Sequence, residues 1–174
     1  MQQGFLNPEN ILNGLNLRED TIACDLGCGS GGWVIPLAKN LSKGKVYAVD
    51  ILQEPLSSLE SAVRKERLFN VVIMLADVEK GVKIIEGSVD LVLITNILFQ
   101  SSEREKIMIE AKRILRPGGR ILAIDWMPEA AVGPKEGRIS IEEMMALANK
   151  IGFDPEKEVN AGKYHWGLLL VKNS

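Results

Sequence analysis

Along the chain, short unbroken apolar runs alternate with stretches in which apolar residues recur every three or four positions. The runs are Thr21–Leu26, Lys45–Asp50, Val71–Ala76, Val89–Thr95 and Arg120–Trp126. The stretches between them predict helices near Gly32–Leu41, Pro55–Phe69 and Glu103–Leu115, and a further one near Ser140–Ile151. Helix-start chemistry agrees with these positions. Pro55 suits a first turn, where its missing N–H costs nothing. Ser102 with Glu105, and Ser140 with Glu143, read as capping boxes. Runs that are apolar at every position, not at alternate ones, belong to strands of a parallel sheet covered by helices on both faces. With right-handed crossovers, this alternation gives a doubly wound α/β sheet.

The alternation breaks at the end of the chain. "FDPEKEVNA" and "KYHWGLLLVK" are joined by a short Asn-Ala-Gly turn, too close for a helical crossover, so they predict an antiparallel pair. The fold class is then α/β, a Rossmann-like seven-stranded sheet that is mostly parallel with an antiparallel final strand. At the other end, "FLNPENILNGLNL" places Phe5, Leu6, Ile11, Leu12 and Leu15 around a helix start at Pro8. This predicts a short amphipathic element, either packed on the flank of the sheet or closing over its ligand edge. No repeat, low-complexity tract or linker divides the chain. Residues 1–174 are expected to form one domain, with 1–20 as a helical cap.

Composition narrows the function classes. A chain of 174 residues with 46% hydrophobic and 25% charged positions fills one ordinary core. A net charge of −2 argues against an extended nucleic-acid surface, which needs surplus Lys and Arg. The richest apolar run, Val89 to Phe99, is interrupted by Asp90, Thr95 and Asn96, so no membrane span is expected. "MQQGFLNPEN" lacks a basic region followed by an apolar one, so no secretory signal is expected. Cys24 and Cys28 have no matching His/Cys cluster and no usual zinc spacing, so no metal site is expected. They read as small buried thiols of a reducing, cytoplasmic compartment.

The candidate chemistry gathers in "TIACDLGCGSGGWVIPLA", residues 21 to 38. Gly27, Gly29 and Gly32 fit the G-x-G-x-x-G of dinucleotide binding. Asp25, Gly27, Gly29 and Gly31 fit equally well an acid-x-G-x-G-x-G pattern, and the turn alone does not choose. Ligands of open α/β sheets sit at the carboxyl ends of the strands, so each strand end is informative. The second ends at Asp50, about twenty residues past the turn, where a carboxylate can accept from both hydroxyls of a ribose. The third leads to Asp77 and Val78, a carboxylate and an N–H suited to an adenine edge. The fourth carries Thr95 and Asn96 to the same edge. Asp90 begins that strand at the opposite edge, and "LRPGGR" precedes the fifth strand there, so both read as structural.

Together "DLGCGSG", Asp50, "ADV", "VDLVLITNIL", "LRPGGRILAIDW" and the antiparallel ending resemble the class I S-adenosylmethionine-dependent methyltransferases. Within that group the chain looks closest to the small-molecule branch typified by ubiquinone/menaquinone-biosynthesis methyltransferases. The resemblance implies S-adenosyl-L-methionine as cofactor. Its methionine and ribose portions would lie on the glycine turn, with Asp25 orienting the methionine end, Asp50 the ribose and Asp77 the adenine. The implied binding set is Asp25, Gly27, Cys28, Gly29, Asp50, Ile51, Asp77, Val78, Thr95 and Asn96. "TNIL" in place of Asn/Asp-Pro-Pro-aromatic argues against amino-group chemistry on adenine or glutamine. The absence of a Pro-Cys pair argues against thiolate chemistry on cytosine. The partner is then a small, partly apolar methyl acceptor, handled by a monomer or homodimer. Two other functions share the glycine turn: an NAD(P) oxidoreductase and a non-catalytic nucleoside-binding module.

Strand direction points to the acceptor side. An antiparallel final strand starts where the parallel strands end, so Tyr164 and His165 lie near Asp125 and Trp126. Alternation sends neighbours to opposite faces, so Tyr164 and His165 are not both expected to point inward. His165, the only histidine, is suited to taking a proton near neutral pH, and Tyr164 and Asp125 are the further catalytic candidates at this edge. The plainer alternative is that His165 bonds a loop and Asp125 braces one.

Overall fold

The structure, a computed structural model, describes residues 6–173. Phe5 of the predicted amphipathic element lies outside them. The elements are α1 (Pro8–Asn13), β1 (Ile22–Leu26), α2 (Val34–Asn40), β2 (Lys45–Asp50), α3 (Gln53–Lys65), β3 (Val71–Leu75), β4 (Val89–Thr95), α4 (Arg104–Ile114), β5 (Leu115–Trp126), α5 (Ile141–Ile151), β6 (Phe153–Glu158) and β7 (His165–Lys172). The seven strands form one sheet in the order β3-β2-β1-β4-β5-β7-β6. β1 to β5 pair in parallel, and β7 is antiparallel to both β5 and β6, as the turn-linked ending predicts.

Alternation along the strands builds two cores. Cys24, Leu26, Val92, Ile94, Ile121 and Ala123 face α4 and α5. Ala23, Leu91, Leu93, Leu122 and Ile124 face the side covered by α1, α2 and α3. Ile11, Leu12 and Leu15 are buried in this second core with Trp33, Val34 and Leu37, so α1 is seated on the flank of α2. Asn7 caps α1 by accepting from the Asn10 N–H. The outer strand β3 leaves Val72 and Leu75 exposed, whereas the inner strands are apolar because both faces are covered. At the other edge, Pro155 and the charges Asp154, Glu156, Lys157 and Glu158 blunt β6 against further pairing.

Several local expectations are corrected. Ser102 does not cap α4, whose N-cap residue is Glu103 with no side-chain cap bond. Ser101 acts instead: its hydroxyl accepts from the Glu103 N–H and donates to Glu79. Ser140 and Glu143 do form the predicted capping box, and Gly152 closes α5 in the left-handed region. α3 stops at Lys65, not Phe69, because Arg67 has φ +54° and leaves the helix. β5 begins at Leu115, not Arg120. Leu115 pairs with Val89 and Arg120 with Leu91, so "RPGG" bulges out of the ladder at the end remote from the ligand edge. At that end Asp90 accepts from the Ile22 N–H and pairs with Arg116, the structural role its position suggests.

Candidate functional site

The strand order reverses between β1 and β4, so the glycine turn after β1 lies at the topological switch point, where open α/β sheets bind ligands. Gly27, Gly29 and Gly31 all take positive φ, at +79°, +52° and +94°. A Cβ on Gly27 would meet Ile97 Cδ1 at 2.6 Å, and one on Gly31 would collide with Leu59 Cδ1. On Gly29 it would enter open space, a cradle left free above the turn. Gly32 has neither a left-handed φ nor a neighbour within 4 Å of such a Cβ. The backbone therefore uses the 27-29-31 spacing, and the G-x-G-x-x-G match through Gly32 is coincidental.

Asp25 at the end of β1 is completely buried, and neither carboxylate oxygen has a hydrogen-bond partner. Burial first, then the negative charge of Asp50, push its carboxyl from 3.8 to about 7. Asp50 is held differently. Its Oδ2 accepts from the Gly29 N–H at 2.8 Å and its Oδ1 from the Leu52 N–H at 2.9 Å, leaving a lone pair on each oxygen. The Val49 carbonyl accepts from the N–H groups of Gly27 and Cys28, tying the turn to β2. Cys28 is buried, and that burial pushes its thiol far above the ordinary range. Ile51 stands 60% exposed beside Asp50, an apolar surface without cover.

Asp77 caps the 3-10 turn at Val78–Lys80, accepting from the Glu79 N–H and pairing with Lys80 at 3.0 Å. The Lys80 hydrogen bond holds its carboxyl below the usual range. Val78 is buried beneath it. After β4, Thr95 is buried and Asn96 takes φ +54° with its Oδ1 buried and unpartnered.

Asp125 ends the buried part of β5. Its Oδ2 accepts from the Leu98 and Phe99 N–H groups at 2.9 and 3.2 Å, and its Oδ1 from Trp126 at 2.7 Å. Burial raises its pKa although these three N–H bonds oppose the rise. This carboxylate braces the turn that follows Asn96. Directly across the ladder from Trp126 stands His165, 6% exposed, with ring centroids 4.1 Å apart. Its Nε2 is buried and unpartnered, and burial followed by the charge of Arg138 lowers its pKa. Half-buried Tyr164 lies just before β7, and its carbonyl accepts from the Met127 N–H. Among the described residues, the buried side-chain N and O atoms without partners are those of Asp25, Asn96 and His165. All lie at one edge of the sheet.

Sequence reasoning missed Arg138. Its guanidinium donates to the carbonyls of Met127, Pro128, Ala130, Val132 and Pro134 and lies 5.9 Å from the Trp126 ring. One side chain thus gathers the whole β5–α5 loop over the Trp126–His165 stack. A lone arginine in a polar loop carries no periodic signal that would mark it. Beneath this loop, at the open ends of β6 and β7, lies a cavity of about 520 Å³ lined by His165 and Trp166.

The methyltransferase-domain family model matches residues 24–123, from β1 into β5. The chain belongs to this methyltransferase family. A structure of an S-adenosylmethionine-dependent methyltransferase from Aquifex aeolicus superposes with a TM-score of 0.88 at 29% identity, covering 96% of this chain and 90% of that one. Demethylmenaquinone methyltransferase of Lactococcus lactis is 28% identical over 144 residues, 82% of this chain and 55% of that protein. An uncharacterized transposon protein of Streptomyces fradiae is 34% identical over 119 residues, 67% of this chain and 34% of its own length. The chain thus spans about a third to about half of these curated relatives. The matches bear out the expected class I methyltransferase family near the quinone-biosynthesis branch. Among the described residues of this methyltransferase domain, no helix is long and apolar enough to cross a membrane.

Proposed function

We propose that the chain transfers a methyl group from S-adenosyl-L-methionine to an O, N or C centre of a small, partly apolar molecule. The observation that carries this reading is the set of buried, unpartnered polar atoms on Asp25, Asn96 and His165 along the carboxyl edge. Leaving buried polar groups unpaired is costly, so such a row is best explained by ligands that complete it. The cofactor fits the part nearest β1. Asp25 has an uncompensated carboxylate for the methionine ammonium, and the free space above Gly29 admits the chain of the ligand. Asp50 has a lone pair on each oxygen for the ribose hydroxyls. Exposed Ile51 offers an apolar face to the adenine, with Asp77 and the Val78 N–H at its edge. Thr95 and Asn96 border the methionine end.

S-adenosylmethionine supplies, when bound, a methyl group on a sulfonium that is already electrophilic, so the protein mainly aligns the reactants and excludes water. His165, neutral near pH 7, takes the acceptor's proton at Nε2 while its ring is held against Trp126. Asp125 positions the Asn96–Phe99 turn, and Tyr164 borders the acceptor side. A nicotinamide reading is disfavoured because the third glycine its motif needs, Gly32, lacks both the strained backbone and the close packing. Calorimetric titration tests the assignment: Asp50→Ala should weaken cofactor binding at least about tenfold, roughly 1.4 kcal/mol. Unchanged affinity in a folded variant removes the ribose role.

A further inference from the structure

The cavity of about 520 Å³ between the β5–α5 loop and the β6–β7 turn is of a size suited to one small molecule. Its lining has a one-sided charge. Glu129, Glu142 and Glu158 contribute carboxylates, and no lysine or arginine lines it among the described residues. The cationic side chain whose charge acts on His165 is Arg138, and its guanidinium is engaged with five loop carbonyls. In the wall stands His165, more than nine-tenths buried, with Nε2 free of any partner. Trp166 completes the wall, its indole N–H donating to the Ile139 carbonyl, so the cavity does not depend on a mobile ring. His165 begins β7, two strands from Asn96 at the end of β4. At the ordinary spacing between strands this is about 10 Å, a span that one acceptor bridges.

We infer that this cavity holds the methyl acceptor and selects one carrying a cationic amine. The ammonium group lies among Glu129, Glu142 and Glu158, while the nucleophilic atom lies between His165 and the methionine end of the cofactor site. The inference rests on the methyltransferase reading above. In the transfer, the lone pair of the nucleophile forms the new bond to the methyl carbon. The carbon–sulfur bond breaks with its electron pair kept by sulfur, and the proton of the nucleophile passes to His165 Nε2. Carboxylate acceptors are repelled by the same three glutamates, and neutral ones gain nothing from them.

The test is methyl transfer from radiolabelled S-adenosylmethionine to size-matched alcohols and phenols that carry, apart from the hydroxyl, a cationic amine, no charge, or a carboxylate. The amine-bearing acceptors should be methylated best. Glu142→Gln with Glu158→Gln should lower their kcat/KM about tenfold, mainly through KM, with less loss at high salt. Both glutamates are exposed, so the variants should fold, and unchanged calorimetric cofactor affinity checks that they do. His165→Asn should lower kcat while amine binding to the S-adenosylhomocysteine complex persists. Equal or better turnover of neutral or anionic acceptors, or amine turnover indifferent to the glutamate changes, overturns the inference. So does cofactor binding with no amine-bearing acceptor methylated. Failure to bind the cofactor at all overturns instead the reading beneath it.

Discussion

A carboxylate with no partner is a residue-scale statement about pH. Asp25 has its folded pKa raised to about 7, above the roughly 3.9 of an unfolded chain. The folded protein therefore keeps a proton that the unfolded one has lost. The stability this contributes is complete below pH 4 and is lost as pH rises towards 7. Asp25→Asn removes that dependence. The unfolding free energy of the variant minus that of the natural protein should grow between pH 4 and pH 7 and level off above. A difference independent of pH would mean that Asp25 titrates as an ordinary aspartate. A cationic cofactor should also draw the proton from Asp25. Titrations near pH 6.5 in buffers of different ionisation enthalpy should show proton release that is absent in Asp25→Asn.

At the scale of elements, caps decide where helices begin. Ser102 matches the capping-box pattern, yet Ser101 makes the bonds, to the Glu103 N–H and to Glu79. Glu79 sits in the 3-10 turn that Asp77 caps, so Ser101 links the third strand's exit to the start of α4. Ser101→Ala should cost about 1 kcal/mol in chemical denaturation, while Ser102→Ala should stay within about 0.5 kcal/mol. The reverse order would restore the sequence-based assignment. The β5–α5 loop is an element of another kind. With five carbonyls on one guanidinium, its shape is set by Arg138 and not by its own backbone propensities.

For the whole molecule, cofactor binding and folding are one equilibrium. A ligand that binds only the folded chain stabilises it by about 2.7 kcal/mol at a hundred times its Kd. S-adenosylhomocysteine should therefore raise the thermal midpoint in a concentration-dependent way, and NADH should not. A rise with NADH alone would reverse the choice between the two glycine spacings. In the proposed site this coupling is direct, because Asp25, Asp50 and Asn96 stand on or just after strands that pair in the centre of the molecule.

The strand–helix alternation, the antiparallel ending and the carboxyl-edge position of Asp25, Asp50, Asn96 and His165 were all legible in the chain. They follow from local periodicity, turn chemistry and strand direction, which neighbouring residues set among themselves. Two overlapping glycine patterns were not separable in the same way. Only the approach of Leu59 to Gly31 and of Ile97 to Gly27, both distant in sequence, shows which glycines are required. The same holds for Asp125, which bonds a turn nearly thirty residues away, and for Arg138, which meets Trp126 and His165 only once β5 and β7 pair. Periodicity records how a residue sits in its own element. Which groups meet across elements, and which are left buried without a partner, is decided by packing that the tertiary fold alone creates.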